Sequence, residues 1–235
     1  GDGARKHADA VVVPSHAVAE VLAETLGIGD RIRVIPAAPG SGVVVPDDAD
    51  ERALKLGLPD RFVVGVGDLG RRKGLDRLLA AMALPDSPDT TLVIVGAPVA
   101  ETLAAASAAG IADDRIIALG PLEDADLATV LDRADLLAVP SRSEGFGLTM
   151  LEAMSLGTPV VHSALPALDE LAAGSAHRVE LDDGLDAPGA LLAAITAVAD
   201  DREHARHLSI AGADRAVSFT WRGAAEQVWR LHADL

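Results

Sequence analysis

The sequence predicts an α/β fold: a Rossmann-like, doubly wound parallel sheet with helices on both faces. Two observations carry that expectation. Short apolar runs recur along the chain without the polar alternation of a half-exposed sheet, as strands covered on both faces require. Stretches of helical length separate them, the connection that parallel neighbours need. A third observation sets the scale: 235 residues, 49% of them apolar, suffice for one large domain or two small ones.

Taken in order, the first strand is "AVVVP" (10–14), followed by a helix over 16–26 and a strand "RIRVIP" (31–36). This unit is too small to be a domain and reads as the tail of something larger. "AAPGSGVVVPDDAD" (37–50) is rich in Pro, Gly and acid and reads as a linker. Strands follow at "RFVVGVG" (61–67), "TLVIVG" (91–96), "RIIALG" (115–120), "DLLAVP" (135–140) and "TPVVH" (158–162), with a weaker one at "HRVEL" (177–181). Helices are expected between them at 74–84, 100–109, 123–133, 148–156 and 166–173. The end is helical, over 187–199, 200–217 and, after a break at "SFTW", 221–233. There is no repeat of fixed period.

Composition removes several function classes. A net charge of −16 opposes general binding to a phosphate backbone. Three Phe, two Trp and no Tyr leave few platforms on which single strands could stack. Without cysteine there is no disulfide framework and no thiolate metal site, which fits a reducing cytoplasm. No run approaches the length of a membrane span, and the start carries no signal-peptide pattern.

The chemistry concentrates in "SEGFGLTMLEAM" (143–154), directly after the strand "DLLAVP". Parallel sheets bind ligands beyond the carboxyl ends of their strands. Gly145 and Gly147 let backbone approach a ligand and point N–H groups at it. A helix starting near Leu148 adds the positive end of its dipole, which suits an anion. Glu144 and Glu152 can each accept two hydrogen bonds from a vicinal diol. Either glutamate alone would read as a solvated surface residue. Their coincidence with a strand end, two glycines and a helix start instead describes a ligand with a phosphate centre and hydroxyl-rich rings on either side: a nucleotide sugar.

Other motifs are weaker. "GVGDLG" (65–70) is a literal G-x-G-x-x-G after a strand and would suit NAD and an oxidoreductase, but "RRKG" delays the helix that should begin inside the motif. Asp48-x-Asp50 and Asp124-x-Asp126 mimic a metal-chelating pair, yet neither ends a strand, and both read as solvated. His204 and His207 share a helix face without a third ligand and read as surface residues. His162, at a strand end, reads as a packed, hydrogen-bonded histidine.

Glu-(x7)-Glu within "EGFGLTMLEAM", followed by "GTPVV", resembles the signature of the retaining GT-B glycosyltransferases of the glycogen-synthase and mannosyltransferase group, family 4-like. "LGLPDRFVVGVGDLGRRKGLDRLLAAM", "RIIALGPLEDADLATVLDRADLLAVPS" and "TPVVHSALPALDELA" extend the resemblance from about Leu54 to the C-terminus. It is less similar to the sugar-nucleotide epimerases that share the fold.

The resemblance implies that this is the nucleotide-sugar-binding C-terminal domain of such an enzyme. Residues 1–44 would be a remnant of the N-terminal domain and linker, 45–218 the donor domain, and 219–235 a helix, with Trp221 and Trp229, crossing back to the absent N-terminal domain. By the same resemblance Glu144 contacts the transferred sugar and Glu152 the ribose. Backbone at Gly145, Phe146, Gly147, Leu148 and Thr149 holds sugar and diphosphate. Lys73, with Arg72 nearby, neutralises the diphosphate, and Gly120, Pro121 and Leu122 support the base. The family's usual arginine falls at Asp68, which is expected to turn away and pair with Arg71 or Arg72.

The implied reaction transfers a hexosyl group from a UDP- or GDP-sugar with retention, and needs no metal and no further cofactor. The acceptor, a saccharide or lipid, would be met by the N-terminal domain, so this chain alone should bind donor and transfer nothing. The longer protein would be cytoplasmic or peripherally membrane-associated, and no nucleic acid is expected as a partner. The competing class is a non-catalytic nucleotide-sugar-binding module.

Overall fold

A computed structural model describes residues 7–235, so the first six residues of the 1–44 segment lie outside the description. Two parallel sheets form. Strands β1 (Val11–Val13) and β2 (Ile32–Val34) pair in a small sheet joined by helix α1 (His16–Leu26). The main sheet contains β3 (Phe62–Val66), β4 (Thr91–Val95), β5 (Ile116–Gly120), β6 (Leu136–Val139), β7 (Val160–Ser163) and β8 (His177–Val179). Every neighbouring pair is parallel, and the spatial order is β5-β4-β3-β6-β7-β8. The chain therefore builds outward from β3 to β5, then returns to lay β6 on the other side of β3. That reversal makes β3/β6 the switch point, where a crevice opens beyond the strand ends.

Helices α3 (Leu75–Met82), α4 (Val99–Ala109), α5 (Asp124–Arg133), α6 (Leu148–Ser155), α7 (Pro166–Ala172) and α8 (Ala187–Ala199) connect or flank these strands. They make two cores. Val63, Leu92, Ile94 and Leu136 face α3 and α8 through Leu75, Leu78, Leu191 and Ile195. Phe62, Val64, Val93 and Leu137 face α5, α6 and α7 through Val130, Leu131, Met150, Leu151 and Leu168. Successive strand residues point to opposite faces, and both faces are dry, which is why these strands read as unbroken apolar runs. Helix α9 (Arg202–Ala216) packs on α6, and α10 (Trp221–Asp234) lies beside β2, with Gln227 and Leu231 lining a groove with Arg33 and Ile35.

All eight expected strands form. One helix was not expected: α2 (Ala49–Leu56) begins inside the last two residues of the stretch 37–50. Its signals are present in the sequence, with Asp50 and Glu51 in the first turn, Lys55 in the last and Gly57 in the left-handed conformation at its end. The linker is also no loose tether. Ala38 and Val43 are buried, and the Pro39 carbonyl accepts the Trp221 indole N–H at 2.9 Å. Residues 37–48 are a packed strap that leads past the crevice. Among the described residues, no helix is long and apolar enough to cross a membrane.

Candidate functional site

Two loops meet at the switch point: Gly67–Gly74 after β3, and Pro140–Gly147 after β6. Backbone ties them together. The Arg142 N–H donates to the Arg72 carbonyl at 2.8 Å, and Arg142 Nη1 donates to the Arg71 carbonyl at 3.0 Å. Gly74 has φ +70°, and a Cβ there would run into the Pro140 carbonyl oxygen. Only glycine permits so close an approach.

That closeness brings Lys73 Nζ to 2.6 Å from Glu144 Oε1. The same oxygen accepts the Ser141 hydroxyl at 3.2 Å, and Arg72 Nη1 lies 3.3 Å away. The Glu144 side chain is only 8% exposed and that of Lys73 20%. A carboxylate so little hydrated needs this set of donors, since an unpaired buried charge is costly. Lys73 has three donor hydrogens and Arg72 is half exposed, so both cations keep capacity for a further anion.

The glycine turn that follows is built for a helix start. Gly147 caps α6 with φ +95°, and a Cβ there would lie 2.6 Å from Leu168 Cδ2. No described group accepts from the N–H groups of Phe146, Gly147, Leu148 or Thr149. These amides, at the positive end of α6, follow directly on Glu144, the partner of Lys73. Gly145 differs from expectation. Its φ is not positive, and a Cβ would sit at an ordinary 3.5 Å from Val18, so the backbone does not require glycine there. The half-buried Phe146 ring packs against the core, edge-on to Phe219 with centroids 5.9 Å apart.

Glu152 sits one turn into α6 and is 7% exposed. Burial raises its carboxyl above the ordinary range. A hydrogen bond from the Gly40 backbone works against that rise, and the charge of Asp124 adds to it. The strap thus reaches the second glutamate directly. Gly42 packs on the Asp124 carboxylate, and Asp124 opens α5 just after Gly120, Pro121 and Leu122. Gly120 is left-handed at the end of β5 and its carbonyl accepts the Gly96 N–H at 2.7 Å. Glu152, the strap and the 120–124 loop therefore converge.

Asp68 departs from the expected pairing. Its Oδ1 accepts the Gly70 N–H at 2.7 Å, while Arg71 pairs with Asp183 and Arg72 with Glu144. It closes its own turn instead of binding an arginine, because a carboxylate two residues before an N–H reaches it more readily than a mobile side chain. The glycines of "GVGDLG" have local duties: a Cβ at Gly65 would strike Leu78 and Ile94, and one at Gly67 would strike Lys73. Helix α3 starts only at Leu75.

Sequence reasoning missed a brace beneath the crevice. Arg77, 7% exposed, donates Nε to Asp183 at 2.7 Å and its other nitrogens to the carbonyls of Pro140 at 3.1 Å and Leu181 at 3.2 Å. Arg142 grips Asp76 with two nitrogens, at 2.7 and 2.8 Å, and Asp183 with two bonds, at 2.6 and 3.0 Å. Hydrogen bonds from Arg142 and then Arg77 hold the Asp183 carboxyl well below its usual range. The sequence hint was an arginine inside the apolar face Leu75, Leu78, Leu79. Its partner lies 106 residues away.

The remaining candidates stand apart. His162 is buried, which lowers its pKa, and its Nδ1 lies 3.0 Å from the Ser163 carbonyl. His204 meets His177 at 3.1 Å, not His207. Asp48 and Asp126 both pair with Arg52, and Asp50 with Arg133, on the α2–α5 surface. Among the described residues no group of three or more His, Asp or Glu could hold a metal ion.

The model of the family described as "Glycosyl transferases group 1" matches residues 47–215. The D-inositol 3-phosphate glycosyltransferase of Segniliparus rotundus is 34% identical over 207 residues, covering 83% of this chain and 45% of the relative. The protein of the same name from Xylanimonas cellulosilytica is 35% identical, covering 96% and 57%. The chain thus spans about half the length of the curated relatives it matches. Among solved structures, sucrose-phosphate synthase from Thermosynechococcus elongatus superposes with a TM-score of 0.82 at 30% identity, covering 97% of this chain and 59% of that one. HepE from Anabaena, solved with UDP and glucose, gives 0.85 at 24% identity, covering 100% and 65%, and speaks for the fold alone.

Proposed function

The chain belongs to the group 1 glycosyltransferases, and from that premise we propose that it is the donor-binding half of a retaining enzyme that transfers a hexosyl group from a nucleoside diphosphate sugar. The observation that carries the reading is the juxtaposition, at the β3/β6 switch point, of the Lys73–Glu144 pair with the open amides of 146–149. The donor we propose is a UDP-sugar, with a GDP-sugar the other candidate.

In this reading the C1–O bond to the diphosphate breaks while C1 forms a bond to the acceptor hydroxyl, whose proton is released. The diphosphate gains charge as it leaves. Lys73, Arg72, the amides of Gly145 through Thr149 and the α6 dipole stabilise that charge in place. Glu144 accepts from the sugar hydroxyls and holds Lys73 in position. A carboxylate has about four acceptor sites; Glu152 uses one on the Gly40 backbone and offers others to the ribose diol. The base rests on Gly120, Pro121 and Leu122. No step requires a metal or a further cofactor.

We place the donor domain at 45–218, with 1–44 and 219–235 belonging to the junction with an N-terminal domain that binds a saccharide or lipid acceptor. On this division the chain alone binds donor and transfers nothing, as a non-catalytic sugar-nucleotide module would. The proposed setting is cytoplasmic, peripheral to the membrane where the acceptor is a lipid. Calorimetry with UDP, GDP and ADP in EDTA and in Mg²⁺ tests the site. Binding of one diphosphate, equal in both buffers, is expected; binding that appears only with the metal contradicts the Lys-and-amide site.

A further inference from the structure

The start of α1 touches the glycine turn in a way that capping a helix does not require. Ser15 is 1% exposed. Its oxygen accepts the Val18 N–H at 3.2 Å, the N-cap bond. Its proton is donated elsewhere, to the Gly145 carbonyl at 2.6 Å, across 130 residues of sequence. The end of α1 is itself held. Glu170 accepts the N–H of His16 at 2.9 Å and of Ala17 at 3.3 Å, and its other oxygen lies 2.7 Å from His16 Nδ1. A carboxylate at the positive end of a helix is favourable, so α7 anchors the residue that grips the loop.

A trans peptide is planar, and its C=O and N–H point in opposite directions. Fixing the Gly145 carbonyl on Ser15 turns the Phe146 N–H away from Ser15. Gly145, on one side of this peptide plane, brings no side chain to restrain it. A flipped plane would present a carbonyl oxygen where the N–H now stands, and so would repel an anion.

Resting on the donor-binding reading above, we infer that Ser15 is a positioning residue: it sets the Gly145–Phe146 peptide in the orientation that offers its N–H to the donor diphosphate. It also ties the donor loop to the placement of the β1–α1–β2 unit, to which Ser15 belongs.

The test uses this chain with Ser15→Ala, Ser15→Gly and Ser15→Thr. Glycine is a tolerated N-cap, so it separates the grip on Gly145 from the cap, and threonine keeps the hydroxyl. Affinities for UDP, GDP and ADP are compared with those for the matching monophosphates. Ser15→Ala and Ser15→Gly should weaken the bound diphosphate about tenfold and lower the ratio of diphosphate to monophosphate affinity. Ser15→Thr should restore both. A general loosening would weaken both nucleotides alike and would overturn the inference, as would an unchanged diphosphate affinity. Amide NMR of the unliganded variants supplies an arm that needs no nucleotide. Resonances of Phe146 and Gly147 should move in Ser15→Ala and return in Ser15→Thr. If wild type binds no nucleotide, the donor reading fails, and unmoved Phe146 and Gly147 resonances would then sink the Ser15 role separately.

Discussion

Replacing Glu152 by glutamine should raise stability and lower donor affinity in the same protein. The carboxylate is 7% exposed, and burial outweighs its single backbone bond from Gly40 in raising its pKa, with Asp124 adding repulsion. A carboxyl whose folded pKa lies above its unfolded value is protonated in both states at low pH and contributes no penalty there. As pH rises through the unfolded value, near the ordinary 4.5, the folded state resists ionisation and loses stability, until the folded pKa is passed. Glu152→Gln removes that titration. Its melting temperature should match wild type near pH 4 and exceed it by a margin that grows with pH and then levels. Binding should move the other way. The amide keeps one acceptor oxygen and loses the other, and a hydrogen bond to a charged group contributes roughly 1.5–3 kcal/mol, about 10- to 100-fold in Kd. Thermal unfolding across pH, with calorimetry of UDP and GDP at pH 7, reads both. A variant less stable than wild type at pH 7, with undiminished nucleotide affinity, would refute the reasoning.

Three further outcomes follow from the same geometry. Lys73→Met leaves Glu144 with only Arg72 and Ser141; stability should fall by about 1.5–3 kcal/mol, and calorimetry should show diphosphate affinity lost more than monophosphate affinity. Arg77→Ala leaves Asp183 to Arg142 and Arg71 and takes the donors from the Pro140 and Leu181 carbonyls, which should cost about 1–3 kcal/mol and lower the melting temperature by about 5 °C; a change within about 0.5 kcal/mol would mean that the brace is not structural. Asp68→Arg gives up the Gly70 turn bond, costing about 1 kcal/mol. It should nonetheless tighten diphosphate binding and steepen its salt dependence, and weaker binding would make Asp68 a direct donor ligand.

The strands were legible because a sheet covered on both faces writes its burial into consecutive residues: Phe62, Val63 and Val64 are all buried though they face different cores. Helix α2 was not, since its eight residues bury only Ala49 and its start lies inside the Pro-, Gly- and acid-rich stretch 37–50. In the candidate site, Glu144, Glu152 and the glycine turn lie within one short stretch and could be read together. Lys73 was placed only through the resemblance. What sequence could not show are contacts that local pattern does not encode: Arg77 with Asp183, Ser15 with Gly145, and the strap residue Gly40 against Glu152. Asp68 marks the limit of analogy. It was expected to find an arginine and instead closes its own turn.

The central claim, that the β3/β6 crevice is a sugar-nucleotide donor site, is tested most directly by a crystal structure of this chain with whichever of UDP, GDP or ADP it binds. The account predicts ribose hydroxyls within hydrogen-bonding distance of Glu152 and phosphate oxygens on Lys73 and the amides of 146–149. A nucleotide seated elsewhere, or one whose phosphates avoid the amides at the start of α6, would contradict it.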